Sequence, residues 1–490
     1  MKLFTIGDSI SQGFMSGAAA RTDLSYSSLI ANQLGIKKYQ YPHWPHGGLP
    51  VNIEDLFREI ERKYGANIST LEWGLAIADT IPSYLNIIER YYERGDGAAN
   101  KKYREKDQFF HNVAVRGFNV SDSWLIDPKY CKHQISEKKS KNGLYSSVDD
   151  SFLRTALRVL NPQLLDEHDD KSQLDWLKYH SDNEGVENVI IWLGSNNALG
   201  TILSLSINFT EGKGQVTDKA SDIFANEKGV YNLWHPKDFE ADYSELLDRL
   251  DDILEGKDTK VFLGTVPLVT IAPLAKGVGE TFDVKTEDTK DQKTGEDHTV
   301  TYFKYYTYFP FDEEFAFKTG INLSFTQVLH IDNCIREYNT IIKKLAEERN
   351  RKYPDRYSII DYSAILDSLA FKRNGGVPQY KFPDHFKFQY PLPNTKYYHA
   401  DTDGNLKQGG IFSLDGVHPT PIAHGLIAYE TLKVMRDAGV QNIDPEALNW
   451  DQIIESDTLY QKPISIMHEI YDNTKLSEWL LGILKRNGKL

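Results

Sequence analysis

The chain has 490 residues and a formal net charge of −14 at neutral pH. An apolar fraction of 40% beside a charged fraction of 26% is typical of a globular protein that buries a sizeable core. The acidic excess disfavours binding to nucleic acid or to an anionic membrane surface, because both depend on cationic side chains. Two cysteines, Cys131 and Cys334, are too few for a disulfide scaffold or a cysteine-based zinc cluster. Two free thiols are favoured over a single long-range bridge. No stretch of 18 or more apolar residues predicts a transmembrane segment.

Short apolar runs that end in small or polar residues predict strands of a parallel sheet that is buried on both faces. In chain order, these runs lie at residues 3–6, 113–115, 189–193, 259–266 and 357–361. Apolar residues at helical spacing predict amphipathic helices over residues 331–345 and 422–435. Strands that alternate with helices need crossover connections, so the predicted fold is α/β with a doubly wound, three-layer parallel sheet.

The chain is longer than such a core requires. The additional residues are therefore predicted to form insertions in a single core domain that spans residues 1–440. Insertions are predicted near residues 40–108, 125–182, 200–240, 275–328 and 370–412. Long segments between core elements often form lids or binding loops. The mixed-charge stretch 285–297 predicts a hairpin tip or flexible loop, and the aromatic residues after it favour a β insertion packed on the core. Residues 441–490, with the apolar run 479–484, predict a C-terminal helical extension packed on the core.

Several predicted strands end in residues that suit a nucleophilic hydrolase. Gly7-Asp8-Ser9 follows the first strand, and Asp415-Gly416-Val417-His418 supplies an acid and a base that one turn can hold. Gly117 and Asn196 follow the second and third strands, where glycine lets backbone N–H groups approach a reacting carbonyl and asparagine supplies an NH₂ donor. Taken singly, these residues also fit ordinary turns and a helix cap. Their joint occurrence favours a catalytic site.

This ordered set resembles the SGNH (GDSL) hydrolase family, in its lipase and acylesterase branch. The first block is Gly7-Asp8-Ser9 with the extension Ile10-Ser11-Gln12-Gly13, the second centres on Gly117, the third is Gly194-Ser195-Asn196-Asn197, and the last is Asp415-Gly416-Val417-His418-Pro419-Thr420. The resemblance implies a flavodoxin-like sheet with large insertions. It also implies a catalytic triad of Ser9, His418 and Asp415.

The resemblance further implies an oxyanion hole made by the backbone N–H groups of Ser9 and Gly117 and the side chain of Asn196. Asp8, Gly194 and Asn197 are expected to support it. The acid that usually closes the third block is Asn197 here, which puts a supporting interaction in doubt and leaves the Asn196 donor in place. Neither a cofactor nor a metal ion is expected.

The expected activity is hydrolysis of a small-molecule or lipid carboxylic ester through an acyl-serine intermediate. One alternative is a carbohydrate O-deacetylase, and an alternative from another class is a catalytically silent binding protein with the same fold. If Met1 is the native start, the protein is expected in the cytoplasm, whereas removal of a leader would make it secreted or periplasmic. The sequence leaves the acyl chain, the alcohol and the oligomeric state open.

Overall fold

A computed structural model describes residues 2–103, 107–137, 148–220, 231–290, 297–383, 386–388 and 391–472. The structure is mixed α/β and contains a four-stranded parallel sheet. The strands of the described residues are β1 (Phe4–Gly7), β2 (Asn188–Trp192), β3 (Lys260–Gly264), β4 (Ala275–Lys290), β5 (Asp297–Tyr308), β6 (Leu323–Ser324), β7 (Tyr357–Ile360), β8 (His399–Ala400) and β9 (Leu406–Gln408).

Helices fill most of the segments between these strands. The α-helices of the described residues are α1 (Ser9–Gln12), α2 (Tyr26–Gln33), α3 (Ile53–Tyr64), α4 (Thr70–Leu75), α5 (Ile81–Glu89), α6 (Asp122–Leu125), α7 (Pro128–Glu137), α8 (Ser151–Leu160), α9 (Gln173–Asn183), α10 (Asn196–Ser204), α11 (Pro236–Ile253), α12 (Glu313–Thr319), α13 (Phe325–Lys352), α14 (Tyr362–Leu369), α15 (Pro421–Asp437), α16 (Trp450–Ser456), α17 (Thr458–Gln461) and α18 (Met467–Asp472). The helices predicted over residues 331–345 and 422–435 correspond to α13 and α15.

The central sheet has the strand order β1-β2-β3-β7, and all its pairs are parallel. Every residue of β1 and β2 is buried, as the continuous apolar runs of these strands predict. Residues 113–115 run along the free edge of β1, where the N–H groups of Val113 and Val115 donate to Thr5 O and Gly7 O at 3.1 Å each. They do not form the regular strand that the sequence predicts. Val113 O accepts from Gln173 Nε2 at 2.6 Å, where a regular ladder would pair this carbonyl with Gly7 N.

Two groups of helices pack around the sheet. α13 and α15 both contact β7, α9 contacts β1, α11 joins α9 to α13, and α2 packs on α15. α13 begins with a capping box in which Ser324 and Gln327 satisfy each other's backbone N–H groups. Between the sheet and α14, the Trp192 ring stacks on Tyr362 with 3.8 Å between ring centroids. The sheet edge that carries the predicted catalytic residues is therefore held by a well-packed core.

The predicted β insertion is an antiparallel hairpin of β4 and β5, to which β6 adds a third strand. Tyr302, Tyr306 and Tyr308 of β5 are buried, so these aromatic side chains pack into the core as predicted. β4 and β5 extend into the mixed-charge stretch, whose residues 291–296 lie outside the described residues. α16 packs on α15, while the apolar run at 479–484 also lies outside the described residues.

Cys131 and Cys334 are both buried free thiols, which confirms the favoured prediction. Among the described residues, the structure contains no helix with the length and apolar character needed to cross a membrane.

Candidate active site

Ser9 lies at the carboxyl end of β1, on the first turn of α1. β1 ends at Gly7, and Asp8 caps α1 by accepting from Ile10 N at 3.0 Å through Oδ1. The short strand-to-helix turn fixes the Ser9 backbone, and its side chain is 4% exposed. Ser9 is thus a buried hydroxyl at the sheet edge where parallel α/β proteins bind ligands.

His418 lies on a loop fastened at both ends. Ser413 N donates to His418 O at 2.8 Å, and two residues later Thr420 caps α15. The Phe14 ring packs edge-on against the imidazole, with 4.6 Å between ring centroids. These contacts restrict both the position and the tilt of the imidazole ring.

Ser9, His418 and Asp415 form a continuous hydrogen-bonded chain, as the sequence predicts. Ser9 Oγ lies 2.9 Å from His418 Nε2, and His418 Nδ1 lies 3.0 Å from Asp415 Oδ2. An ionised carboxylate only accepts hydrogen bonds, so it favours the tautomer with the proton on Nδ1. That tautomer leaves a lone pair on Nε2 to accept the Ser9 hydroxyl proton.

The Asp415 carboxylate is held as an acceptor on both oxygens. Oδ2 also accepts from Gly17 N at 2.8 Å, and Oδ1 accepts from Val417 N and His418 N at 2.9 Å each. Burial alone would raise the pKa of Asp415, but the charge of His418 and these hydrogen bonds keep that pKa below its usual value. Asp415 is therefore ionised at neutral pH and does not compete with His418 for the proton.

The Asn196 side chain links the loop of Gly117 to the turn that carries Ser9. Asn196 Nδ2 donates to Phe118 O at 2.8 Å and to Asp8 Oδ2 at 3.3 Å, which places its amide between the second sequence block and the serine turn. Gly117 has φ +81°, and a Cβ there would lie 3.0 Å from the Phe152 ring. Glycine suits this backbone conformation because L side chains rarely adopt it.

Asn197 supports the loop that carries Gly117. It is fully buried, and its Oδ1 accepts from Val120 N at 3.3 Å. Gly194, with φ +120°, starts the turn into α10, where a Cβ would lie 2.6 Å from a Val266 methyl group. The third block thus carries Asn196 at the serine and Asn197 at the neighbouring loop, in the division of roles that the resemblance implies.

Asp8 is a buried acid next to Ser9. Loss of solvent raises its pKa to about 7, although the hydrogen bond from Ile10 and the charge of His418 partly offset this effect. The sequence singles out Asp8 as a supporting residue, but its unusual proton affinity depends on burial and is visible only in the fold.

An apolar cleft opens at Ser9 and His418. Its walls come from several separate parts of the chain, and the apolar side chains that define it are Leu199, Val269, Ile271, Leu366, Phe412 and Val417. The volume of the cleft is about 50 Å³. The sequence did not identify these residues, because apolar side chains at helical or turn positions look alike whether they line a cleft or fill a core.

A buried ion pair holds one wall of this cleft. Arg373 and Asp332 are both fully buried and lie 2.9 Å apart, Arg373 Nη2 to Asp332 Oδ2. Thr270, between Val269 and Ile271, donates to Asp332 Oδ1 and accepts from Arg373 Nη2. The pair therefore fixes the turn that presents two apolar side chains to the cleft.

Two glutamines that the sequence analysis did not assign also build the site. Gln12 Oε1 accepts from Arg116 N at 3.1 Å, which ties α1 to the loop of Gly117. Gln173 Nε2 donates to Gly7 O at 2.9 Å and to Val113 O at 2.6 Å, so it bridges the ends of β1 and its edge neighbour. Gln12 lies within the extension Ile10-Ser11-Gln12-Gly13 of the first block, which is a signal for its role. Nothing in the sequence around Gln173 distinguishes it from other helix residues.

Within the described part of the chain, one group offers side-chain atoms at metal-ligand spacing. Atoms of His111, His180 and Glu184 lie within 4.8 Å of one another, at the opposite end of β1 from Ser9. His111 Nδ1 already accepts from Gln40 N at 3.1 Å, and His180 Nδ1 is 2.9 Å from Glu184 Oε1. In the neutral His111 ring, this bond places the proton on Nε2 and leaves that nitrogen without a lone pair for a metal. These donors therefore fit a hydrogen-bonded packing cluster better than a metal centre.

No known family model matches the chain, and no curated protein matches it. The geometry around Ser9 is thus the evidence on which a function rests.

Proposed function

We propose that the protein is a serine hydrolase that cleaves carboxylic esters, and that it belongs to the lipase and esterase branch of the SGNH (GDSL) family. The observation that carries the proposal is the hydrogen-bonded chain from Ser9 through His418 to Asp415, with distances of 2.9 and 3.0 Å. A serine that meets an acid–base pair 409 positions away in this order seldom does so without a catalytic role.

The strand order supports the same proposal. When residues 112–115 are counted as the neighbour of β1, the order across the sheet is that segment, β1, β2, β3 and β7. This order is the one expected of a doubly wound, flavodoxin-like sheet, in which ligands bind at the carboxyl ends of the strands beside the first one. Ser9, Gly117 and Asn196 all follow such strand ends.

The mechanism is acyl transfer to Ser9 and then to water. His418 Nε2 removes the Ser9 hydroxyl proton as Oγ attacks the ester carbonyl, while Asp415 stabilises the imidazolium that forms. The carbonyl oxygen becomes an oxyanion that accepts hydrogen bonds from the backbone N–H groups of Ser9 and Gly117 and from Asn196 Nδ2. To donate to the oxyanion, Asn196 gives up its long bond of 3.3 Å to Asp8 Oδ2 and keeps the bond to Phe118 O. His418 then gives the proton to the leaving alcohol, and the same steps with water release the acid and restore Ser9.

The apolar cleft favours a short acyl chain. Its volume is about 50 Å³, which is small and suits a short chain better than a long one. Apolar walls give no partners for sugar hydroxyls but stabilise methylene groups by burial. An ester of a short, unbranched acid therefore fits better than an acetylated polysaccharide bound through this cleft.

A panel of p-nitrophenyl esters from acetate to palmitate, run beside acetylated xylan, tests the proposal. We expect turnover to be highest near butyrate, and we expect Ser9→Ala to lose about 10⁴- to 10⁶-fold in kcat, the usual effect of removing a triad nucleophile. A fluorophosphonate probe should label the native protein at Ser9. Activity confined to xylan would favour the carbohydrate deacetylase.

The control for folding is Ser11→Ala, since Ser11 lies on the same turn and its hydroxyl bonds to Tyr26 rather than to His418. If the native protein hydrolysed none of the esters and the probe did not label Ser9, the proposal would be contradicted and a binding protein would be favoured. More than a tenth of native activity in Ser9→Ala would exclude Ser9 as the nucleophile.

A further inference from the structure

Arg116 places a guanidinium group near the catalytic histidine. Its Cζ atom lies 5.5 Å from the centroid of the Phe14 ring, and that ring packs against His418 at 4.6 Å. Arg116 also precedes Gly117, one of the proposed oxyanion donors. The Arg116 backbone therefore belongs to the loop that carries Gly117, and the Phe14 ring lies between its side chain and His418.

This guanidinium has few partners. Of its five N–H donors, one bonds to Ser151 Oγ, from Nη2 at 2.9 Å. Its Nε atom is buried without an acceptor, and no carboxylate of the described residues forms an ion pair with Arg116. Burial lowers the pKa of Arg116 to about 10, so the group is still charged at neutral pH.

The fully buried Arg373 shows by contrast how an arginine is paired for a structural role. Arg373 bonds to Asp332, to Tyr306 OH at 2.6 Å and to Thr270 Oγ1 at 2.6 Å. Arg116 is only partly buried, and its contacts with the Phe14 ring and with Ser151 supply no negative charge to balance its own. An unpaired guanidinium at this place is better suited to a ligand that brings the negative charge.

The position of Arg116 indicates which part of the substrate carries that charge. Neither Arg116 nor Phe14 lines the apolar cleft that suits the acyl chain. His418 must reach the leaving oxygen to protonate it, so the alcohol portion lies against the histidine, where Phe14 and Arg116 stand.

We propose that Arg116 binds an anionic group, a carboxylate or a phosphate, on the alcohol portion of the ester. The proposal rests on the proposed ester hydrolase function. Guanidinium binds both groups through paired N–H donors, and a hydrogen bond between charged partners is stronger than a neutral one.

Three butyrate esters with related phenols test the proposal: methyl 4-butyryloxybenzoate, which is neutral, 4-butyryloxybenzoate and 4-butyryloxyphenyl phosphate. The readout is the ratio of kcat/KM for each anionic ester to that for the neutral ester. Comparing each ratio between proteins cancels the intrinsic reactivity of the esters. We expect Arg116→Gln to lower the ratio about 10- to 100-fold, as the loss of a charge-assisted hydrogen bond predicts. We expect Arg116→Lys to fall between the native protein and Arg116→Gln. Whichever anionic ester loses more identifies the group.

Arg351→Gln is the matched control, because Arg351 is a 73% exposed arginine paired with Glu347 on α13. It should leave both ratios as in the native protein. Inhibition of the native enzyme by the products gives a second measurement that needs no variant, and 4-hydroxybenzoate should inhibit at lower concentration than its methyl ester. Equal inhibition by the two products, or equal losses on neutral and anionic esters in Arg116→Gln, would overturn the proposal. Failure of the native protein to hydrolyse even the neutral ester would instead contradict the hydrolase function itself.

Discussion

The buried acid next to the nucleophile makes the stability of the protein depend on pH. Asp8 has a pKa of about 7 in the folded chain because burial removes solvent from its carboxyl group. Asp8→Asn replaces this acid with an amide of the same shape that does not titrate. Asparagine is as good a helix cap as aspartate, so its one amide oxygen can still accept from Ile10 N.

The expected magnitude follows from the shift in pKa. The pKa rises from 3.8 to about 7, roughly three pH units at 1.36 kcal/mol each, or about 4 kcal/mol. Below pH 3.8 the folded and unfolded chains both hold the proton, and the stability from the raised pKa is fully present. As pH rises towards about 7, only the folded chain keeps the proton, so stability falls, and above that pH the loss is complete. Between pH 5 and pH 8 the native protein should lose about 3 kcal/mol through Asp8 alone.

Urea unfolding of the native protein and Asp8→Asn at pH 5 and pH 8 measures this effect. The free energy of unfolding of the variant minus that of the native protein should be about 3 kcal/mol larger at pH 8 than at pH 5, because only the native protein loses stability as the pH rises. Asp170→Asn, which removes an 82% exposed carboxylate, controls for the loss of a charge. A relative stability of Asp8→Asn that is equal at the two pH values would refute the reasoning.

The same variant should lower activity. Asp8 Oδ2 accepts from Asn196 Nδ2 at 3.3 Å, and the amide of Asp8→Asn either turns an NH₂ group towards that donor or gives up its bond to Ile10 N. Two facing donors repel, so the proposed oxyanion donor would move. Stability at pH 8 and turnover are thus expected to change in opposite directions, as is common for active-site residues.

The remaining site residues give further predictions. Asp415→Asn should lower kcat about 10⁴-fold with little change in KM, because the amide favours the wrong histidine tautomer. Single-turnover kinetics with p-nitrophenyl butyrate would show a native rate if Asp415 only filled space. Asn196→Ala should lose about 10²- to 10³-fold in kcat and more than Asn197→Ala, and the reverse order in steady-state kinetics would move the donor role to Asn197. Arg373→Met should lower the free energy of unfolding by about 3–5 kcal/mol, because it leaves Asp332 buried and unpaired. Adding Asp332→Leu should recover part of that loss in urea unfolding, and no recovery would mean that the pair is not the cause.

The sequence anticipated the hydrogen-bonded chain of Ser9, His418 and Asp415 because its geometry is largely local. Ser9 comes two residues after the end of β1. Asp415 and His418 lie on one turn, so their spacing in the sequence alone places the carboxylate beside the imidazole. The contact between Ser9 and His418 crosses 409 positions, yet parallel strands bring their carboxyl ends to one edge of the sheet. A fold class and a motif were therefore enough to anticipate it.

The surroundings of the triad were not predictable in the same way. The cleft collects Leu199, Ile271 and Phe412 from distant segments, and apolar periodicity does not reveal whether a side chain faces a cavity or a core. Gln173 fills a gap between two backbones that only the packed structure defines. The segment at residues 113–115 is not a regular strand because Val113 O accepts from this glutamine side chain, where a ladder would pair it with Gly7 N.

The asparagine at position 197, where the resembled family usually has an acid, has a physical explanation in its burial. Asp122, two residues after Val120 at the start of α6, shows the effect of this environment, because burial raises its pKa well above the usual value, as burial also raises that of Asp8. A further carboxylate at the fully buried position of Asn197 would add an unpaired charge, which the amide avoids while its Oδ1 still holds Val120 N. Asn197→Asp should therefore lower the free energy of unfolding at pH 8 by about 1–3 kcal/mol, the usual cost of a buried group without its partner, and leave kcat at or below the native value. Urea unfolding at pH 8 measures the change in stability, and the kinetics of p-nitrophenyl butyrate hydrolysis at the same pH measure kcat. A clear gain in kcat without loss of stability would show that the usual acid is compatible with this site and that the asparagine weakens it.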